Sequence, residues 1–100
     1  MVVLVFGTLR FPPENMDQVR SPLRDLVEAT IRLDGCIAYD VAEDMFDPGL
    51  LRFSEIWPNR ESLERRLQTP HILPWRQASA RLELSERNFT AFDGENARSV

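Results

Sequence analysis

The stretch CIAYDVAEDMFDPGLLRFSEIW, residues 36–57, decides the fold of this chain. Its first part, CIAYDVAE (36–43), alternates in hydrophobicity, and its last part, LLRFSEIW (50–57), is rich in apolar and aromatic residues. Both features are typical of β-strands. Between them lies DPG (47–49), a turn signal in which proline presets φ and glycine adds conformational freedom. The stretch therefore predicts a β-hairpin with a long loop.

One strand and one helix are predicted before the hairpin. The segment VVLVFGTLRF (2–11) is rich in β-branched and aromatic residues and is followed by two prolines, which predicts a well-buried strand. Asn15 is a candidate cap for a helix whose apolar residues recur at helical spacing until Gly35 ends it. Two alternatives are open at Pro22: the helix kinks there, or Ser21 caps a second start.

Two helices and a last strand are predicted after the hairpin. Asn59 can cap the first helix, NRESLERRLQ (59–68), and Thr69 can cap the second, with Pro70 at its first position. The apolar residues that place the second helix are Ile72, Trp75, Ala78 and Leu82. The segment ERNFTAF (86–92) predicts the last strand, and a polar tail follows it.

The predicted order β-α-β-β-α-(α)-β is that of the ferredoxin-like α+β fold, in which split β-α-β halves form a four-stranded antiparallel sheet. One hundred residues suit a single domain, which we place at residues 1–93, with a tail at 94–100. The first strand is apolar on both faces, as Val5 and Phe6 illustrate. Since helices can cover only one face in so short a chain, the pattern predicts a homodimer through the other sheet face.

Composition excludes several classes of protein. The formal net charge is −4 and no block of basic residues occurs, so nucleic-acid binding is not expected. Cys36 is the single cysteine, which excludes an internal disulfide and a thiolate zinc site, and buried packing is its expected role. The apolar run from Met1 to Phe6 is too short for a membrane span and lacks the basic start of a signal peptide. A cytoplasmic location is therefore expected.

Three segments together suggest a family: DGCIAYDV (34–41), FSEIW (53–57) and SLERRLQTPH (62–71). In this order and spacing they make the chain resemble the antibiotic biosynthesis monooxygenase (ABM) domain family, in particular its small quinol-monooxygenase-like members. The resemblance runs from Val2 to about Phe92 and implies a dimeric α+β barrel of two ferredoxin-like protomers. It also implies that a quinol or phenolic small molecule is oxidised with O₂, with no metal, flavin or other cofactor.

The resemblance disfavours the haem-degrading branch of the family. That branch has an asparagine on its first strand and a tryptophan within the helix of the second half. The first strand here contains no asparagine, and Arg66 occupies the region where the tryptophan would be expected.

Two residues are candidates for catalysis. A cofactor-free oxygenase needs a group that accepts the phenolic proton, because the deprotonated substrate is the better electron donor to oxygen. His71, the single histidine, is one candidate, since the dipole at a helix start disfavours the imidazolium; the alternative is a junction histidine bonded to a backbone carbonyl. Glu55, on one strand face with Trp57, is a second proton acceptor or orients His71. Its alternative is an ion pair with Arg52 or Arg10.

Four further residues are candidates for the walls of a substrate site. Tyr39, the single tyrosine, could donate a hydrogen bond to a substrate oxygen. Trp57 and Trp75 could lie against a planar substrate, and Phe6 could form a floor. Plain core packing is the alternative for each of them.

The remaining charged residues carry no catalytic motif. Arg65 and Arg66, with Glu61 and Glu64, are interpreted as a solvated helix face. A Gly-rich phosphate loop, a nucleophile elbow and a cluster with metal-ligand spacing are all absent, so no metal site is expected. Two other functions fit the same residues: a non-catalytic module that binds a small aromatic molecule, and a proton-transfer enzyme that uses no oxygen. Fold alone does not separate them.

Overall fold

Four strands and three helices make up the fold, which we describe from a computed structural model that covers residues 1–100. They are β1 (Val2–Arg10), α1 (Met16–Leu33), β2 (Ala38–Glu43), β3 (Leu50–Trp57), α2 (Arg60–Arg66), α3 (Leu73–Arg81) and β4 (Glu86–Gly94). The strands form one antiparallel sheet in the order β2-β3-β1-β4. This order confirms the ferredoxin-like α+β fold. No helix of the chain combines the length and the apolar character that crossing a membrane requires.

The first helix, α1, is continuous; its C-terminal end agrees with the prediction and its N-terminal end does not. Pro22 lies inside α1, so Ser21 does not begin a second helix. Gly35 follows the end of α1 with φ of +71°, as its role as helix terminator predicts. The predicted cap at Asn15 is wrong, because its side chain makes no capping hydrogen bond. Asn15 Nδ2 donates instead to the carbonyl oxygen of Leu82 (3.0 Å), which ties the start of α1 to the end of α3.

The junction between α2 and α3 differs from the prediction. Asn59 caps α2 as expected, since its Oδ1 accepts a hydrogen bond from the backbone N–H of Ser62 (2.8 Å). Thr69 does not cap α3: its hydroxyl donates to the carbonyl oxygen of Arg66 (2.9 Å) at the end of α2, which its backbone N–H also contacts (3.3 Å). A short 3₁₀ turn, Pro70–Ile72, follows, and α3 begins only at Leu73.

The ends of two strands also differ from the predicted ones. The strand β2 begins at Ala38 rather than at residue 36, although Ile37 N–H already donates to the carbonyl oxygen of Ile56 (2.7 Å). The strand β4 extends to Gly94, two residues beyond the predicted end, because Gly94 is the pairing partner of Val2 at the start of β1. Residues 93 and 94 therefore belong to the sheet.

The two faces of the sheet have different surroundings. On one face the side chains pack against the helices and form the buried core, which includes Val3, Val5, Leu9, Leu51, Phe53 and Trp57 from the strands and Val19, Leu23, Leu26 and Trp75 from the helices. On the other face Phe6 and Phe92 are each about half exposed, with ring centroids 6.2 Å apart. Leu4 lies on this open face between Ile56 and Phe92. The predicted second apolar face is thus present.

Gly7 makes room for two aromatic rings on the helix-covered face. It lies in the inner strand β1, opposite Phe53 on one side and Phe89 on the other. The two rings meet edge to face over it, with centroids 5.3 Å apart. A Cβ at position 7 would overlap the Phe89 ring. The close approach of this ring explains why a glycine stands inside an otherwise apolar strand.

We expect Gly7→Ala to destabilise the protein by about 1–3 kcal/mol, because the Phe89 ring must leave its place over β1. Urea unfolding measures this change. Gly94→Ala is the matched control, since a Cβ there would meet only side-chain atoms of Leu4 and Val2 at 3.3 Å. The explanation is contradicted if the Gly7→Ala/Phe89→Leu double variant is no more stable than Gly7→Ala alone.

Candidate functional site

A cavity of about 730 Å³ lies between the helix-covered face of the sheet and the helices α2 and α3. Its volume is within the range of about 300–1,000 Å³ that is usual for small-molecule sites. Twelve of its 18 lining residues are hydrophobic, among them Val5, Leu9, Tyr39, Phe53, Leu63, Ile72, Trp75 and Phe89. The six polar ones are Glu55, Arg66, Arg76, Ser79, Arg87 and Thr90. An apolar cavity with a few polar groups is the form that binding sites for small organic molecules take.

Glu55 is a buried carboxylate in the wall of this cavity, with 6% of its surface exposed. The alternation of β3 places it on the helix-covered face, where Tyr39 of β2 is its cross-strand partner. One carboxylate oxygen, Oε1, accepts a hydrogen bond from Trp57 Nε1 (2.8 Å), and the other has no partner in the chain. The alternative of an ion pair with Arg52 or Arg10 is wrong, because those arginines pair with Asp44 and with Asp47 and Glu86.

Burial raises the pKa of Glu55 above the ordinary range of a glutamate, because the low-dielectric surroundings disfavour the carboxylate. The hydrogen bond from Trp57 and the positive charges of Arg66 and Arg87 act in the opposite direction and favour the charged form. Burial also raises the pKa of Tyr39, again against the opposing effect of Arg66. The phenol of Tyr39 is therefore a stable hydrogen-bond donor at neutral pH.

Arg66 is buried, which corrects its interpretation as part of a solvated helix face. Only 5% of its surface is exposed, whereas its neighbour Arg65 is exposed as expected. The reason is helical geometry: Arg66 follows Ser62 by four residues and Leu63 by three, so it shares their inward face. A charged side chain on that face needs partners of its own.

Four groups surround the Arg66 guanidinium. Its Nη1 donates to Thr30 Oγ1 (2.8 Å) and to Asp34 Oδ2 (2.7 Å), and its Nη2 donates to Tyr39 Oη (3.1 Å). The guanidinium carbon also lies 5.3 Å from the centroid of the Tyr39 ring. Its Nε has no hydrogen-bond partner in the chain, while the side chain lines the cavity. Arg66 thus joins α1, β2 and α2, and its Nε remains an unpaired donor.

Asp34 is the buried counter-ion of this cluster, with 2% of its side chain exposed. It is the residue that closes the C-terminal end of α1, where the helix dipole is unfavourable to a negative charge. Its second oxygen, Oδ1, lies 2.8 Å from His71 Nε2, and neither atom has another polar partner. At this distance the two side chains are in contact, but neither atom makes a hydrogen bond in the structure. Arg66 therefore compensates the buried carboxylate, and His71 lies against its second oxygen.

The predicted site residues lie in four different places. Tyr39, Glu55 and Trp75 line the cavity. Trp57 is fully buried behind Glu55 and reaches it through its indole N–H. His71 lies in the 3₁₀ turn before α3, not in the first turn of an α-helix, and it does not line the cavity. Phe6 lies on the open face of the sheet, opposite the cavity.

Other reactive groups contribute little to the cavity. No three His, Cys, Asp or Glu side chains are grouped so that they could hold a metal ion. Cys36 is half-buried, its Sγ donates to the carbonyl oxygen of Thr30 (3.7 Å), and burial raises the pKa of its thiol. The sulfur is thus held as a packed thiol rather than a reactive thiolate.

We expect Arg66→Met to destabilise the protein by about 3–5 kcal/mol, because it leaves the Asp34 carboxylate buried beside a single partner. Arg65→Met, the exposed neighbour, is the control and should change the unfolding free energy by less than about 0.5 kcal/mol. Arg66→Met/Asp34→Asn should recover part of the loss in urea unfolding, since no uncompensated charge remains. A double variant less stable than Arg66→Met would contradict the pairing.

The comparisons with known proteins agree with this architecture. The family model described as antibiotic biosynthesis monooxygenase (ABM) matches residues 2–78. The crystal structure of a candidate antibiotic biosynthesis monooxygenase from Deinococcus radiodurans has a TM-score of 0.89 and 28% identity, covering 98% of this chain and 97% of that one. The Mycobacterium tuberculosis protein Rv0793 has a TM-score of 0.84 and 25% identity, covering 99% of this chain and all of that one, 100%.

A curated relative from Synechocystis is an uncharacterised protein, 28% identical over 70 residues, or 70% of this chain. The chain spans about half of that relative's length, 48%. The family model, by contrast, covers most of the chain, from the start of β1 into α3. On this match and on the shared fold, the chain belongs to the antibiotic biosynthesis monooxygenase (ABM) family.

Proposed function

We propose that this chain is a cofactor-independent monooxygenase that oxidises a quinol or phenolic small molecule with O₂. The observation that carries the proposal is the set of Glu55, Arg66 and Tyr39 on the wall of one apolar cavity. These three side chains supply a proton acceptor, a cation and a neutral hydrogen-bond donor. Family membership supports the reaction class, and the Deinococcus radiodurans relative is named as a monooxygenase.

In this proposal Glu55 accepts the phenolic proton of the substrate. A carboxylate that is buried and has one unpaired oxygen is a stronger base than an exposed one, because protonation removes a charge from low dielectric. Arg66 and Tyr39 offset the remaining free-energy cost of deprotonating the phenol, because they stabilise the phenolate oxygen that forms. The Nε of Arg66 has no partner and is free to donate to this oxygen. The substrate ring lies against Phe53, Phe89 and the other apolar walls.

In the oxygen step that follows, no protein group other than Glu55 changes its charge. The phenolate gives one electron to O₂, and the aryloxyl radical and superoxide combine at a ring carbon that carries a hydrogen. The proton held by Glu55 goes to the peroxide oxygen. Loss of water from the hydroperoxide leaves a carbonyl at that carbon, so one oxygen atom enters the product and the other leaves as water.

His71 acts in this proposal through Asp34 rather than as the base that meets the substrate. Its Nε2 faces Asp34 Oδ1 at 2.8 Å, and Asp34 in turn holds Arg66. Trp57 has a comparable role toward Glu55, because its indole N–H fixes one carboxylate oxygen and leaves the other for the substrate. Both residues therefore orient the groups that touch the substrate, while Trp75 packs against Phe11 and is itself part of the cavity wall.

The proposal includes a homodimer that joins the open faces of two sheets. Four apolar side chains support it: Leu4, Phe6, Ile56 and Phe92 occupy this face, and two of them are half exposed. Covering such a face with a second copy removes apolar area from water without any further segment of the chain. The cavity lies on the opposite face, so each protomer would keep its own site.

We expect Glu55→Gln to lower kcat for a reduced naphthoquinol on the order of 10²–10⁴-fold, because an amide accepts no proton at neutral pH. An oxygen electrode with a substrate panel measures this, after subtraction of autoxidation. In the wild type, kcat/KM should rise with pH through an ionisation above the ordinary glutamate range, since the protonated carboxyl at low pH cannot act as base. Glu64→Gln, an exposed glutamate outside the cavity, should change neither quantity.

Oxygen uptake no faster than autoxidation across the panel, or an unchanged rate in Glu55→Gln, would overturn the proposed reaction. The alternative of a binding module is distinguished by thermal unfolding under nitrogen. A phenol that raises Tm without any product under air would indicate binding without turnover.

We expect Phe6→Asp to shift the protein toward the monomer in sedimentation equilibrium, because a carboxylate cannot be buried against an apolar sheet without a partner. The dimer dissociation constant should rise at least tenfold. Phe46→Asp is the matched control, since Phe46 is 89% exposed in the loop between β2 and β3 and belongs to no strand of the sheet. A wild-type protein that is monomeric at micromolar concentration would contradict the dimer.

A further inference from the structure

The charges that line the cavity are opposite in sign to the charge of the chain. The protein carries a formal net charge of −4, yet its cavity is lined by three arginines and a single acid, Glu55. The charge of Arg66 is balanced by Asp34 at 2.7 Å. The charges of Arg76 and Arg87 are not balanced, because neither guanidinium has a carboxylate oxygen within ion-pair distance. An apolar cavity with unbalanced cations attracts an anion.

Arg87 is placed at the edge of the cavity by the ring beneath it. It lies on β4 two residues before Phe89, so the two side chains share the helix-covered face. The guanidinium carbon of Arg87 is 4.8 Å from the centroid of the Phe89 ring. No guanidinium N–H group of Arg87 has a hydrogen-bond partner in the chain. Its charge also favours the carboxylate form of Glu55, which lowers the pKa of that group against the effect of burial. Arg87 therefore acts on the interior of the cavity while its donors remain free.

Arg76 approaches the same cavity from α3. Its Nη2 donates to the carbonyl oxygen of Leu67 (2.6 Å), which holds the side chain across the end of α2. The other guanidinium donors have no partner in the chain. Both arginines are exposed, so they stand at the mouth, whereas Glu55 and Arg66 are buried inside. The cavity thus has a cationic mouth and an interior with an acid and a balanced cation.

We propose that the ligand of this cavity is an aromatic carboxylate: a planar ring system with a phenolic hydroxyl at one end and a carboxylate at the other. The hydroxyl enters first and meets Glu55 and Arg66, because Glu55 would repel the charged end. The carboxylate stays at the mouth, where the forked donors of Arg87 and Arg76 match its two oxygens. This inference rests on the proposed function, since it specifies the substrate class of the same site.

The test compares two fluorescent phenols that differ by one carboxylate, 6-hydroxy-2-naphthoate and 2-naphthol, in anaerobic binding titrations with the full chain. We expect the wild type to bind the naphthoate on the order of tenfold more tightly than the naphthol. Arg87→Gln and Arg76→Gln should each weaken naphthoate binding about three- to tenfold more than naphthol binding, and Arg87→Lys should retain only part of the preference, because an ammonium cannot form the forked pair. The preference should also shrink as salt is raised, since the mouth is exposed.

Arg81→Gln is the matched control, because Arg81 is an exposed arginine of α3 that does not line the cavity. Equal affinities for the two phenols, binding of neither, or an equal loss in Arg81→Gln and Arg87→Gln would each overturn the inference. The readout does not depend on turnover. A carboxylate preference without oxygen uptake overturns only the proposed reaction, whereas oxygen uptake without a preference overturns only the carboxylate.

Discussion

The pairing of Arg66 with Asp34 is the constraint on which the rest of the site depends. Both side chains are almost fully buried, and Asp34 sits at the end of α1, where the helix dipole disfavours its charge. A buried charge without a partner is costly, so α2 must lie where Arg66 reaches α1. The same placement brings the Arg66 guanidinium against Tyr39 of β2 and gives the cavity one of its walls. A single ion pair thereby fixes both the helix position and the site.

The functional side chains of the cavity are held in position by hydrogen bonds from residues outside it. Trp57 fixes one oxygen of Glu55, and Asp34 and Thr30 fix Arg66, so each functional side chain keeps one free donor or acceptor for a ligand. Preorganised groups of this kind lose little freedom when a ligand binds. The cavity wall formed by Phe53 and Phe89 depends on Gly7 in a similar way, since the absence of its Cβ lets these two rings meet.

Local patterns predicted the strands, the order of elements and the two apolar sheet faces, because each is written in the alternation of residues such as Val5 and Phe6. The same alternation put Glu55 on one strand face with Trp57, and the structure shows that this face is the buried one. The sequence did not identify Arg66 as a buried residue, because adjacent charged residues on a helix are usually solvated. Its three-residue spacing from Leu63 was the only local indication that it shares the inward face. The burial of Arg66 depends on its ion pair with Asp34, which is distant in sequence, so a local pattern cannot predict this pair.

The central claim is that pairing with Asp34 positions Arg66 to meet a ligand in the cavity. Its most direct test is side-chain NMR of the Arg66 Nε–Hε group during titration with 2-naphthol. If Asp34 and Thr30 hold the guanidinium and its Nε faces the ligand, this resonance shifts as the ligand binds and its exchange with solvent slows, because the ligand covers the Nε–H. The exposed Arg65 provides the internal reference, with fast exchange and no shift. An Arg66 signal whose shift and exchange rate are both unchanged at saturating ligand would contradict the account.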